Sequence, residues 1–193
     1  MPSLRIGVDL DGVVADFVSG WVQRYNAEFG ARLRVVDAAD WGAAATLTHF
    51  SSMAQFWRWA RHAGPDGRSL FRGLPRYPGA VEGLRELLRL AHVVVLTSKP
   101  PWAVADTLAW LADLDLPLRE VHVTSDKTTV DCRVYVEDSP LHLAELRRHR
   151  PQAVVCRWVR PWNSAVDGCL DVDSWSDVHI VTRELSSGRW AAT

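Results

Sequence analysis

The sequence predicts an α/β fold built on a mostly parallel, doubly wound sheet, and three observations predict it. Six short apolar runs rich in β-branched residues recur along the chain. Most intervals between them carry leucines or alanines at helical spacing, the alternation of a parallel sheet covered by helices. Acids, hydroxyls and lysines follow several of the apolar runs directly, where such a sheet places its ligand crevice.

The runs read as buried strands are residues 4–8, 92–96, 120–123, 133–136, 153–156 and 170–172. After Pro78-Gly79, residues 81–88 repeat leucines at helical spacing, and residues 101–112 carry Ala105, Leu108, Leu111 and Ala112 on a second helix. Ser139 followed by Pro140 is an N-cap with proline at the first helical position. Ser174 or Ser176 caps the last helix, and residues 186–193 read as a loose tail. These elements together make a Rossmann-like sheet. Between residues 17 and 72 no strand is expected. Phe17, Trp21, Tyr25 and Phe29 recur every four residues as the stripe of an amphipathic helix that Gly30 stops, and residues 53–63 form a second helix. The chain therefore divides into an α/β core of residues 1–16 and 73–193 and a small helical cap of residues 17–72, inserted after the first strand.

With 193 residues, the chain is long enough for one substantial core and an appendage. Its net charge of −1 and lack of a long basic run argue against a nucleic-acid polymer or an anionic membrane as partner. Three cysteines, odd in number and not closely paired, form neither a disulfide framework nor a zinc site. No segment has the roughly 20 apolar residues of a membrane span, so a cytoplasmic location with reduced thiols is expected. A homodimer is compatible with the sequence.

The strand ends carry the chemistry. The first delivers Asp9-Leu10-Asp11-Gly12, the second Thr97-Ser98-Lys99, the third Thr124-Ser125-Asp126-Lys127 and the fourth Glu137-Asp138-Ser139. Acids gathered at one edge repel one another unless a cation joins them. Oxygens from Asp9, the Asp11 backbone and Asp138, with waters and a phosphate oxygen, satisfy octahedral Mg2+. Thr97 or Ser98 donates to phosphate oxygens, and Lys127 supplies a fixed positive charge. Asp9 is then the nucleophile that becomes an aspartyl-phosphate, and Asp11 the acid that protonates the leaving alcohol and later activates water. A calcium loop is a poorer reading, because Gly12 is the fourth residue of the run that starts at Asp9 rather than the sixth. Lys99 is expected to be solvent-exposed, and Pro161-Trp162-Asn163 to be loop filler.

Four motifs in this order, each just after an apolar strand, resemble the haloacid-dehalogenase-like superfamily. The opening Val8-Asp9-Leu10-Asp11-Gly12-Val13-Val14-Ala15-Asp16-Phe17, with Leu96-Thr97-Ser98, Thr124-Ser125-Asp126-Lys127-Thr128 and Ser174-Trp175-Ser176-Asp177, is similar to the 5'(3')-deoxyribonucleotidase branch. That resemblance implies a Mg2+-dependent phosphatase of (deoxy)ribonucleoside monophosphates. It also implies Asp9 as nucleophile, Asp11 as acid/base, Thr97 and Lys127 as phosphate binders and Asp138 as metal ligand. Phe17 matches a base-stacking phenylalanine, and Trp41 is a second pocket residue. Glu137 stands where that family usually has aspartate, so the direct metal contact is assigned to Asp138, with Glu137 behind it or as an alternate. The stretch 38–68 matches poorly, which leaves a sugar phosphate or another biosynthetic phosphate ester as the alternative substrate. A dehalogenase needs no acid for its leaving group, so Asp11 argues against one. A non-catalytic binding module would have no use for the complete set of Asp9, Asp11, Thr97, Lys127 and Asp138.

Overall fold

The computed structural model describes residues 4–189. Its sheet consists of β1 (Arg5–Val8), β2 (His92–Thr97), β3 (Glu120–Val123), β4 (Val134–Glu137), β5 (Val154–Trp158) and β6 (Leu170–Val172). All five neighbouring pairs are parallel, in the order β3-β2-β1-β4-β5-β6. The order reverses between β1 and β4, so a crevice opens where those two strands end. Pairing of Val8 with Val95 and Val136 brings Asp9, Thr97 and Glu137 to one edge, and the Asp9 amide donates to the Val136 carbonyl at 3.0 Å.

Strand side chains alternate between two cores. Ile6, Val8, Val93, Val95, Val134 and Val136 pack with Leu84 and Leu87 of α4 (Ala80–Leu90), Trp110 and Leu111 of α5 (Val104–Ala112) and Val178 of α7 (Trp175–Ser186). On the other face, Val94, Leu96, Tyr135 and Val155 pack with Leu143 and Leu146 of α6 (Pro140–His149). Ser139 caps α6 and Ser174 caps α7, the latter in a reciprocal capping box with Asp177.

The segment between β1 and Ala80 holds α1 (Phe17–Phe29), the short α2 (Ala43–Thr46) and α3 (Met53–Ala60), with 3-10 turns at Val35–Asp37, Pro65–Gly67 and Leu70–Gly73 in the connecting chain. Asp16 caps α1 by accepting from the Ser19 amide at 2.9 Å, and Gly30 ends the helix with φ of 63°. The structure corrects several boundaries. α3 stops three residues short of the expected end, ahead of Gly64-Pro65, and α5 is preceded by a 3-10 turn at Pro101–Ala103, where prolines lack amide donors. β5 continues to Trp158, with Arg157 paired to Asp171. Ser186 closes α7 rather than opening a tail, and residues 190–193 lie outside the described residues. The three cysteines are free. Among the described residues, no helix is long and apolar enough to cross a membrane.

Candidate active site

Four carboxylates and two ammonium groups meet at the strand ends. Asp9 leaves β1, Glu137 closes β4 and Asp138 follows it; an oxygen from each lies within 4.8 Å of the others, and all three residues are buried. Lys127 enters from a 3-10 turn whose N-cap, Asp126, accepts from the Thr128 amide at 3.0 Å. Its Nζ lies 2.9 Å from Asp9 Oδ1 and bonds Glu137 Oε2, and its side chain is 2% exposed. Burial alone would lower the Lys127 pKa, but Asp9 and Glu137 together raise it, so this cation is permanent.

Glu137 is held on both oxygens. Oε2 takes Lys127, and Oε1 accepts the backbone amides of Asp138 and Ser139 at 3.1 and 2.9 Å. Asp138 Oδ2 accepts Trp162 Nε1–H at 2.8 Å, and its carbonyl accepts Asn163 Nδ2–H at 2.7 Å. Asn163 is in turn fixed by Arg157 at 2.8 Å and by the Arg160 amide at 3.1 Å, while Arg160 Nε donates to the Gly12 carbonyl at 2.6 Å. One loop after β5 thus braces both the β1 turn and the Asp138 backbone. Gly12 has φ of 79°, and a Cβ there would fall 2.0 Å from Asp138 Oδ2, so only glycine lets the turn pass this carboxylate.

Burial, then repulsion from Asp9, pushes the Glu137 carboxyl up to about 7. Burial, then Glu137 and Asp9, holds Asp138 well above the usual carboxylate range. Burial also raises Asp11, an effect that the adjoining Lys99 opposes. If all four acids ionise, the two lysines leave a charge of −2, which one divalent cation neutralises. The buried, all-oxygen donor set of Asp9, Asp138 and Glu137 suits a hard dication.

Asp9, Asp11, Asp138 and Lys127 stand at one end of a cavity of about 270 Å³. Asp9, Asp11, Gly12, Ser98, Lys127 and Asp138 make the polar end; Phe17, Trp41, Met53 and Trp57 make the apolar wall. Phe17 stacks on Phe71 at 5.8 Å and lies 5.9 Å from Trp57, ring centre to ring centre. Trp59 turns the other way, toward Tyr25, Phe29 and Phe50, and donates Nε1–H to Glu28 at 2.9 Å. Of the two strand-end hydroxyls, Ser98 lines the cavity. Thr97 is 1% exposed, and its Oγ1 has no protein partner.

Two expectations are corrected. Lys99 is not solvent-exposed: its side chain is 1% accessible and its Nζ is paired with Asp11 Oδ2. Trp162 and Asn163 are not filler but hydrogen-bond Asp138. The signal for both was positional, since each follows a strand that ends at the acidic edge. Spacing alone does not show which loop side chains turn inward.

The family model "5' nucleotidase, deoxy (Pyrimidine), cytosolic type C protein" matches residues 3–185. A Chlorobaculum tepidum protein named as a 5'(3')-deoxyribonucleotidase is 30% identical, over 92% of this chain and 89% of its own length. The human mitochondrial 5'(3')-deoxyribonucleotidase is 23% identical, over 86% and 83%. Among solved structures, a HAD-hydrolase of Bacillus subtilis bound to magnesium superposes with a TM-score of 0.63 at 12% identity, over 94% of this chain and 99% of that one, which shows the shared fold. The chain belongs to the 5'-nucleotidase type C family, shares its fold with a HAD-hydrolase, and is a phosphoric monoester hydrolase.

Proposed function

We propose that this chain is a Mg2+-dependent 5'-nucleotidase that hydrolyses (deoxy)ribonucleoside monophosphates through an aspartyl-phosphate. The observation that carries this reading is the single cavity whose polar end holds Asp9, Asp11, Lys127 and Asp138 and whose apolar wall holds Phe17, Trp41 and Trp57. Phosphate chemistry and a stacking surface for a base share one space of nucleotide size.

Asp9, Asp138 and the Asp11 backbone carbonyl would hold Mg2+, which when bound neutralises charge on the acids and the phosphate. A carboxylate oxygen of Asp9 attacks phosphorus as the bond to the ester oxygen breaks. Asp11 gives its proton to the departing alkoxide, which leaves as the nucleoside. Water then attacks the phosphorus of the acyl phosphate while Asp11 takes its proton, and inorganic phosphate and the Asp9 carboxylate are regenerated. Lys127 holds Asp9 in place and faces the phosphoryl oxygens, and Ser98 and Thr97 supply donors to them. Glu137, with both oxygens occupied, braces Lys127 and Asp138. In this reading residues 1–16 and 73–193 are the catalytic core and 17–72 the cap that selects the substrate.

A panel of phosphomonoesters with phosphate release as readout tests the reading. Nucleoside 5'-monophosphates are expected to be the best substrates. Phe17→Ala should raise KM for them by roughly 5- to 100-fold, the worth of one lost stacking contact. High turnover of a sugar phosphate with indifference to every nucleotide would overturn the substrate assignment. Trp162→Phe, which keeps an aromatic ring but removes the donor to Asp138, is expected to weaken Mg2+ affinity by about 10- to 100-fold in calorimetric titration.

A further inference from the structure

Lys99 follows Ser98 at the end of β2, and its ammonium group is buried rather than solvated. A buried ammonium is costly unless paired. Its partner is Asp11 Oδ2, and the Phe71 ring centre lies 4.1 Å from Nζ, close enough for a cation–π contact. Lys99 is not among the residues that line the cavity, whereas Asp11 is. The lysine therefore stands behind the carboxylate, away from the substrate. The second Asp11 oxygen, Oδ1, is shielded from solvent and has no protein partner. A carboxylate gripped through one oxygen is fixed in direction, and a buried oxygen left without a protein partner shows that the fold alone does not satisfy this group.

A purely structural pair would need no such asymmetry, and an apolar residue at position 99 would fill the space without desolvating a charge. Phe71, beneath Lys99, stacks on Phe17 at 5.8 Å and on Trp57 at 6.2 Å, with interplanar angles of 19° and 16°. The same ring that supports the lysine thus supports the aromatic wall of the cavity. The setting of Asp11 is mechanically tied to that wall.

We infer that Lys99 is a positioning residue: it grips Asp11 through Oδ2, against the Phe71 ring, so that the carboxyl group is held at the cavity wall, toward the oxygen of the leaving group. This rests on the phosphatase reading above, in which Asp11 is the acid that protonates the leaving alcohol. It adds that the acid's orientation is imposed by a cation outside the cavity.

The test uses two substrates that differ in their need for an acid. A nucleoside monophosphate has a poor alkoxide leaving group; p-nitrophenyl phosphate leaves readily without a proton. In the first turnover, Lys99→Met is expected to slow nucleoside release from the nucleotide by about 10²-fold, within the usual worth of a general acid, with nucleotide affinity unchanged. The first-turnover burst of p-nitrophenolate, which precedes the step in which Asp11 activates water, should slow by no more than about threefold. Equal losses on the two substrates, or no loss on the nucleotide, overturn the inference. Should Lys99→Met alone fail to fold, the comparison moves to the Asp11→Asn background, where no charge is left unpaired. There Lys99→Met should change turnover of p-nitrophenyl phosphate by less than about twofold, and a further loss of about tenfold or more overturns it. Failure of the phosphatase reading looks different: the unmodified protein would release phosphate from neither substrate, or would do so without Asp9.

Discussion

Asp9→Asn is expected to abolish phosphate release, by at least ~10⁴-fold in kcat, while circular dichroism and melting behaviour stay near those of the parent protein. The loss follows from the role of Asp9: an amide oxygen is a far weaker nucleophile than a carboxylate, and residues acting as a unit lose nearly all their effect when one is removed. The fold should survive because the substitution keeps the shape, and because Lys127 retains Glu137 as partner when it loses the Asp9 charge. The Asp9 backbone amide keeps its bond to the Val136 carbonyl, so the strand pairing is untouched. Loss of activity with a cooperative, unchanged melt separates a chemical role from a structural one.

Withdrawal of divalent cations has the second largest expected effect. Chelation should reduce phosphate release to background, and added Mg2+ should restore it. A readout independent of turnover is available. Without a cation, burial and then repulsion between the carboxylates raise Glu137 to about 7 and Asp138 well above the carboxylate range, so part of the cluster holds protons near neutrality. Cation binding requires those carboxylates ionised. Titration of Mg2+ into metal-free protein at pH 7 is therefore expected to release protons, visible as a dependence of the calorimetric heat on buffer ionisation. The linkage has a definite sign for stability as well. A carboxyl whose folded pKa lies above its unfolded value binds its proton more tightly when folded. The metal-free fold should therefore lose stability as pH rises from about 4.5 through about 7, the window of Glu137. Saturating Mg2+ should remove that loss. Melting temperatures that do not respond to pH or to Mg2+ across that window would contradict the cluster's electrostatics.

Much of the fold and the polar end of the site was legible in the chain because both rest on short-range patterns. A buried parallel strand must be apolar on both faces, so residues 92–96 announce β2 without reference to anything distant. Since ligands bind beyond the carboxyl ends of such strands, reading the next residues after each run assembles Asp9, Ser98, Lys127 and Asp138 before any coordinates exist. What was not legible depends on how loops fold back. Lys99 sits one residue beyond Ser98, and a lysine in a loop is ordinarily solvated; only the arrival of Phe71 beneath it and Asp11 beside it makes it a buried cation. Trp162 and Asn163 reach Asp138 across 24 and 25 residues of sequence, a contact set by the β4–β5 pairing rather than by local spacing. In the insert, the four-residue aromatic stripe predicted α1. The assignment of Trp57 to the cavity and Trp59 to the opposite aromatic cluster rests on how α3 rolls against α1, which periodicity constrains without fixing.

The central claim is that Asp9 carries the phosphoryl group. The most direct measurement is rapid acid quench during turnover of p-nitrophenyl phosphate by the Asp11→Asn variant, followed by peptide mass spectrometry. That substrate phosphorylates the enzyme without an acid, while the variant is slow to activate the water that clears it. One phosphoryl increment, labile to hydroxylamine and mapped to the peptide at Asp9, is the result expected. A phosphoryl group found instead on His142, which also lines the cavity, or continued turnover with no increment on any residue, would contradict it.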